Sequence, residues 1–537
     1  TGVADFNLRL PGDTPIVSAM AGGGAFDSYV FEIDAQMPVT QKLSVGIGGA
    51  FIRYDNSEAS KSIEWNAGVL ARARPSDMAE ITTFWSQLEG CESEQQMQVI
   101  PGGPWLPPRY KRRTFYGQGW TTGNCHSSNG GAIARVNLAG DWTLRAGAFR
   151  SQDIQHRSFG DFLREVQPDG TGRRFLFQQP RQAFTSYSGE IRATKIVSHG
   201  DVQHTVDFAV RGRNVQRVFG GGDTADLGPG LVGVQTWLTK PDFTFSTQTR
   251  DRTEQGTAGV SYGVLWAGVG GLGLGVQKVA YRRDTTPPGL PQVTSKAEPW
   301  LVNANTNIFI TPALAAYGSY TRGLEESGTA PPSAVNRGEA MPAAITEQID
   351  AGLRYAITPR LNVVAGVFQV EKPYFTFNAA NVFGPSGHVR HRGVEVSLAG
   401  RVVEGLTVVS GIVLIEPRVT GDAVDRGIIG EVPLGPRPGT GLMSVQYQPL
   451  AWNGFGVEGT VTRHSGQVAR NDNQLRIEGF TQLDLGLRYY FKVGEAPASF
   501  RLRLQNVLNS YGWQVNNGGA ISARSPFRYL VNLTADF

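Results

Sequence analysis

The sequence predicts an all-β chain: one transmembrane antiparallel barrel of about 22 strands, with short turns at one rim and long loops at the other. Three observations carry this. The first is alternation near the C-terminus. From Thr481 to Phe491 the odd positions hold Leu483, Leu485, Leu487, Tyr489 and Phe491, and the even ones hold Gln482, Asp484, Gly486 and Arg488, with Tyr490 the exception. A period of two gives a strand one apolar and one polar face, as a strand between two different solvents requires. Phe500, Leu502 and Leu504 repeat the pattern against Arg501, Arg503 and Gln505, and Tyr529 to Phe537 repeats it again, ending on an aromatic. In a soluble sandwich the apolar face would meet a second sheet; in a barrel it meets lipid while the polar face lines a wet lumen. The second is composition: 537 residues with 68 Gly, 53 aromatics, 18% charged residues and a slightly negative mean hydropathy. No uninterrupted apolar run reaches the ~18 residues of a membrane helix, so any apolar surface must be hidden by alternation. The third is spacing. Nine candidate strands fill residues 345–537, and that rate over the whole chain gives a count in the low twenties, above the ~16–18 strands of porins.

Taken in order, residues 1–11 (TGVADFNLRLP) are a short extended piece ending at a Pro-Gly-Asp turn. Residues 25–38 and 42–54 read as two strands around a turn at Pro38 to Gln41, followed by strands at 62–74 and 79–88. Residues 89–128 read as a long loop, with both cysteines, a Pro/Gly cluster at 101–108 and the basic run Arg109 to Arg113. Hairpins are expected at 132–150 around Gly140-Asp141, at 186–215 around His199-Gly200-Asp201, and at 257–282 around Gly268-Val269-Gly270. Long loops are expected at 152–180, 220–230 and 285–291. Strands at 300–310, 314–322, 345–356, 361–371, 388–401, 405–416, 438–449, 454–465, 480–491, 499–507 and 526–537 complete the chain. Their connections alternate between short (356–360, 402–404, 492–498) and long (372–387, 417–436, 466–479, 508–525), which places the C-terminus on the short-turn, periplasmic side.

Several classes of function are excluded or weakened. A formal charge of +4 on this length argues against a nucleic-acid partner. Gly268-x-Gly270-x-x-Gly273 matches a dinucleotide fingerprint, and Gly259-Val260-Ser261-Tyr262-Gly263 a nucleophile elbow. Each needs a helix to follow, and here strands follow. The seven His are scattered, His388 and His391 included, and no paired carboxylates stand out. No catalytic residue, metal site or cofactor is expected, and no enzyme. The chain opens in already patterned sequence, so if the protein is exported a leader, and more with it, is expected to have been removed or left out. Cys91 and Cys125, with 33 residues between them, are the only cysteines. A disulfide across an external loop is the preferred reading of an exported chain, with two free thiols as the alternative; a metal pair has only His126 nearby.

One loop carries suggestive chemistry. Trp105, Arg109, Tyr110, Lys111, Arg112, Arg113, Phe115, Tyr116 and Trp120 mix cations with flat aromatics, and Arg173 and Arg174 with Phe175 and Phe177 repeat the mixture in the next long loop. Such surfaces suit a large anionic, aromatic or amide-rich ligand. Candidate binding residues are therefore Trp105, Arg109, Tyr110, Arg112, Arg113, Tyr116, Trp120, Arg173 and Arg174; binding of lipopolysaccharide phosphates, or plain solvation, is the other reading of the same loops.

Four segments carry a family resemblance. Tyr317-Gly-Ser-Tyr-Thr-Arg-Gly-Leu324 is similar to a "YxSYSRGL" strand, and residues 347–373 (EQIDAGLRYAITPRLNVVAGVFQVEKP) resemble the hairpin most typical of the same family. Arg390-His-Arg-Gly-Val-Glu395 resembles its "RxRGVE" strand and Asn506-Val-Leu-Asn-Ser-Tyr511 its "NLFDxxY" segment, ahead of the terminal Phe537. Together they resemble TonB-dependent outer-membrane receptors of the ferric-siderophore type, best from about residue 300 onward. The resemblance implies active import of a ferric siderophore or similar chelate across the outer membrane of a Gram-negative bacterium, with no bond made or broken. It implies as partners the TonB energy-coupling complex, reached through a plug domain, and outer-membrane lipid and lipopolysaccharide. Residues 1–12 then resemble the end of that plug and 13–537 the barrel; the plug and its TonB box are expected to precede Thr1. A receptor for cobalamin, a saccharide or a peptide would share these features, and a plugless passive pore or a barrel enzyme would share fewer.

Overall fold

The computed structural model describes residues 8–331 and 333–537, without the side chains of Cys91 and Asn517. The expected plug remnant lies, for residues 1–7, outside the described residues. Twenty-two antiparallel strands form the wall. In chain order they are Ile16–Gly24, Ser28–Thr40, Leu43–Asp55, Lys61–Ser76, Ala79–Ser93, Asn124–Leu138, Trp142–Val166, Gln182–His199, Val202–Phe219, Thr249–Trp266 and Gly270–Thr286. Then follow Trp300–Thr311, Leu314–Glu325, Ala344–Thr358, Leu361–Phe377, Phe383–Val403, Leu406–Thr420, Gly439–Tyr447, Phe455–His464, Phe480–Val493, Ala496–Gln505 and Arg528–Asp536. The first pairs with the last, so no sheet edge is left open. Val17 and the terminal Phe537 exchange backbone hydrogen bonds of 2.9 and 2.7 Å at this seam.

The wall's two faces follow from register. Residues directly opposite across an antiparallel pair share a face, so Phe31, Phe51 and Trp65 line up on one side, and Glu32, Ala50 and Asn66 on the other. The first set is exposed, with Phe31 at 55% and Trp65 at 45%, as are Ile33, Val210, Ile191, Leu485 and Leu533 on the same face of their strands. Large exposed apolar side chains on most of the strands are what an outward, lipid-facing surface shows. Toward the short-turn rim this band ends in aromatic pairs, Tyr447 against Trp452 at 5.2 Å and Tyr489 on Phe491 at 5.4 Å, as expected where lipid meets water. The expected turn at Gly140-Asp141 has both residues at positive φ, 67° and 61°, the type I′ geometry that matches strand twist.

Four of the expected loops differ, for one cause. Residues 89–128, 152–180, 220–230 and 372–387 are not plain loops. The strands Ala79–Ser93, Trp142–Val166, Leu361–Phe377 and Phe383–Val403 run into them, and Met97–Pro101, Thr171–Gln179 and Asp223–Leu231 are further short strands. Beyond the apolar band both faces of a strand meet water, so alternation disappears from the sequence while the backbone ladder continues. Ile16–Gly24 went unread for a related reason: IVSAMAGGG is mostly small residues and shows little contrast between faces. Ser261 is mid-strand and Gly268, Gly270 and Gly273 lie in a turn and the strand after it, as expected.

At the long-loop rim a second, smaller sheet forms. Trp513–Val515, Ile521–Ala523 and Met97–Pro101 join the outer end of Trp142–Val166, then Thr171–Gln179 and Asp223–Leu231, with Met97–Pro101 running parallel to its neighbour. Beneath it Val99, Tyr116, Leu163, Val166, Ile521 and Trp513 pack into a core that also takes Leu475 and Ile477. Segments from five loops are thereby fused into one rim body.

Candidate functional site

The candidate binding residues divide once their contacts are traced. Tyr116 and Arg174 are interior. Arg174, 3% exposed, donates to both carboxylate oxygens of the fully buried Asp161 at 3.0 and 2.6 Å and to the Tyr116 carbonyl at 2.8 Å. It clamps the 171–179 hairpin to the loop carrying Tyr116. The Tyr110 ring meets Tyr116 and Trp513 edge-on at 5.5 Å each, and its hydroxyl, with a pKa pushed up by burial, accepts from the Ala523 N–H at 2.9 Å. Trp105 and Trp120 use their indole N–H groups on the carbonyls of Val166 and Leu238, at 2.8 and 2.9 Å. Arg113 stacks on Phe26 at 3.6 Å, away from the others, and Arg173 sits outside in an exposed pair with Asp226. The aromatics and Arg174 therefore hold the rim body together. Cys125 is disulfide-bonded; the side chain of Cys91, its expected partner, lies outside the described residues.

Arg109 and Arg112 lead to the candidate site. Both guanidiniums lie over the Tyr511 ring, at 5.2 and 5.4 Å. Arg112 also donates to the Asn509 carbonyl and side-chain oxygen, at 3.0 and 2.7 Å, and to the Ser510 carbonyl at 3.2 Å. Asn506 and Asn509, at φ 50° and 46°, make this turn possible, since Asn tolerates the left-handed region. Here the "NVLNSY" segment has a physical role: it presents carbonyls to Arg112 and leads into Arg524.

Next to this turn, two guanidiniums lie over the Phe480 ring, Arg524 at 3.9 Å and Arg437 at 5.3 Å from its centroid. His464, opposite Phe480 in the ladder, tilts against it at 4.8 Å. Both face the lumen, because His464 shares its strand face with Glu458, Thr460 and Thr462 while Val457 and Val461 face outward. Arg524 donates to the Tyr511 carbonyl at 2.9 Å, yet its Nε is buried without a partner; Arg437 donates to the Ser465 carbonyl at 3.1 Å. Burial pulls the pKa of Arg437, Arg524 and Arg112 below the usual arginine value, and for Arg524 the neighbouring Arg437 and Arg112 pull it further. Among the described residues no carboxylate forms an ion pair with Arg109, Arg112, Arg437 or Arg524, whereas Arg72, Arg174, Arg283 and Arg501 all have one. Uncompensated, partly desolvated guanidiniums around an aromatic face are suited to an anion carrying flat or apolar groups.

Sequence reasoning missed Arg437, His464, Phe480 and Arg524, which come from four separate stretches. One signal was present: Phe480 is an aromatic on the even, polar parity of its strand, a position that faces the lumen. The site depends on a glycine. A Cβ on Gly512 would overlap the Arg524 guanidinium, so Gly512→Val is expected to displace that group and weaken ligand binding about ten-fold or more, read by titration of purified receptor, the barrel remaining folded.

Comparisons with known proteins agree with this architecture. Residues 96–509 match the family model described as TonB dependent receptor-like, beta-barrel. The ferrichrome receptor FcuA of Yersinia enterocolitica is 22% identical over 561 residues, covering 100% of this chain and 73% of that protein. The crystal structure of BauA, the ferric preacinetobactin receptor from Acinetobacter baumannii, superposes with a TM-score of 0.85 at 18% identity, over 98% of this chain and 80% of that one. The ferric-catecholate import receptor Fiu from E. coli K12 does so with a TM-score of 0.83 at 12% identity, over 98% and 82%.

Proposed function

The chain belongs to the TonB-dependent receptor-like β-barrel family, and on that premise we propose that it imports a ferric siderophore across the outer membrane of a Gram-negative bacterium. One observation carries the reading: a closed 22-stranded barrel holds a cluster of arginines and aromatics, without an ion-paired carboxylate among the described residues, where its loop rim meets the lumen. The long loops and the rim body face outside, and the C-terminus lies in the periplasm. The ligand docks against Phe480, Tyr511 and the arginines, Arg109 and Arg112 being the two residues of the basic loop that reach it. Cys91 and Cys125 tie that loop to its strand. Outer-membrane lipid and lipopolysaccharide surround the apolar band.

The TonB complex drives passage by pulling on a plug inside the barrel, and residues 8–12 are the end of that plug. Arg9 supports this placement, since it reaches the inner-face carboxylate of Asp34 at 2.9 Å and Ser18 at 3.5 Å. No bond is made or broken, so the protein is a transporter and not an enzyme. The test is radioiron accumulation in a strain lacking only this receptor. We expect uptake from at least one ferric siderophore to fall to background, with the same fall in the parent strain when TonB is removed. Uptake that persists without TonB, or free passage of small solutes through the protein in liposomes, would replace this reading with a passive pore.

A further inference from the structure

Resting on that import reading, we infer that the substrate is a ferric chelate of net negative charge, held by the Arg437–Phe480–Arg524 cluster and passed to a second arginine cluster deeper in the same wall. Neutral ligands need hydrogen bonds and apolar contact, and concentrated charge of one sign is costly to hold in place without a partner. Here four arginines converge on Phe480 and Tyr511 without an ion-pair partner among the described residues. The Arg524 Nε is buried and unpaired, and burial lowers the pKa of both guanidiniums over Phe480. An incoming anion would supply the missing counter-charge and acceptor. Flat oxygen donors of a chelate, catecholate or carboxylate, match the planar fork of a guanidinium.

The inner wall below continues the same sign. Glu458 sits six residues before His464 on the same strand face, about 20 Å along the strand toward the opposite rim. Three arginines surround this one carboxylate: Arg501 at 2.9 Å, Arg488 at 3.3 Å and Arg503 at 3.7 Å. The cluster keeps an excess of positive charge facing the lumen in line with the mouth site. Another stretch of wall is different: Asn303, Asn305 and Asn307 lie over Gly275, Gly273 and Gly271, uncharged throughout. The mouth site thus has a second arginine cluster below it in the same sector, where Asp484 is the other inner-face carboxylate.

The experiment is equilibrium binding by receptor purified from outer membranes, titrated with trianionic ferric tris-catecholate, an anionic ferric carboxylate chelate and neutral ferric trihydroxamate, at low and high salt. R437Q/R524Q and R437K/R524K are titrated beside the parent, with heat-modifiable gel mobility reporting an intact barrel. We expect at least one anionic chelate to bind about ten-fold or more tighter than the neutral one, to weaken with salt, and to lose about ten-fold or more in R437Q/R524Q with partial recovery in R437K/R524K. Preferential binding of the neutral chelate, or equal binding of all by parent and R437Q/R524Q, would overturn the charge inference while leaving import intact. Failure of every ferric chelate to bind the folded parent would remove the import reading and this inference with it.

Discussion

Replacing Arg174 by Met is expected to loosen the rim body by about 3–5 kcal/mol while the barrel melts as before, because it leaves the Asp161 carboxylate buried without its partner. The pair is enclosed: Asp161 is 0% and Arg174 3% exposed. Its two hydrogen bonds join the paired strands Trp142–Val166 and Thr171–Gln179, and a third from Arg174 to the Tyr116 carbonyl ties them to a separate loop. Surface pairs of the same chemistry, such as Arg173 with Asp226, are screened by solvent, contribute little and make the control. The readout is amide hydrogen exchange in Met97–Pro101 and Thr171–Gln179. Protection there reports local opening, and every 1.4 kcal/mol is about ten-fold, so exchange should accelerate by about two to three orders of magnitude. Changing both partners to apolar residues, R174M with D161L, should restore much of the protection, since no charge is then left buried. If R174M leaves exchange unchanged, the clamp does not hold the rim.

That prediction shows how a sequence signal can be real and point to the wrong role. The mixture of cations and aromatics at 105–120 and 173–177 is what a binding surface shows, but equally what five loops need to pack on one another outside a membrane. A loop cluster has no lipid and little core to bury against, so its rings and guanidiniums turn inward. Nothing local to Tyr116 or Arg174 says whether the ring meets a ligand or Leu163. The wall is different, because its information is periodic: register across Leu483, Leu485 and Leu487 fixes a face without knowledge of the neighbours. Where that contrast fails, in the small residues of Ile16–Gly24 or beyond the apolar band, strands became illegible although their ladders continue. The binding cluster lies between these cases. Arg437 and Arg524 are arginines in separate long loops, brought together because those loops rise from neighbouring strands of the wall. Phe480 alone was readable, as an aromatic on the wet parity of its strand.

The two faces can be tested against each other with one charge. Leu485 is 41% exposed on the outward face, between Leu483 and Leu487 and well before the aromatic pair Tyr489 and Phe491. Leu485→Arg would place a guanidinium near the middle of the hydrocarbon, where such substitutions cost about 2–4 kcal/mol in barrels of this kind. Thr460, one strand away, faces the lumen opposite Asp484. Thr460→Arg gains a carboxylate neighbour in water and should lie within about 1 kcal/mol of the parent. Unfolding of each variant from lipid vesicles by denaturant measures both, with midpoint shifts read at a common slope. A cost for Leu485→Arg that matches Thr460→Arg would mean that the outward face does not meet lipid. A large cost confined to Leu485→Arg would instead require an apolar solvent around the barrel, and with it the wet, charged interior that an anionic chelate needs.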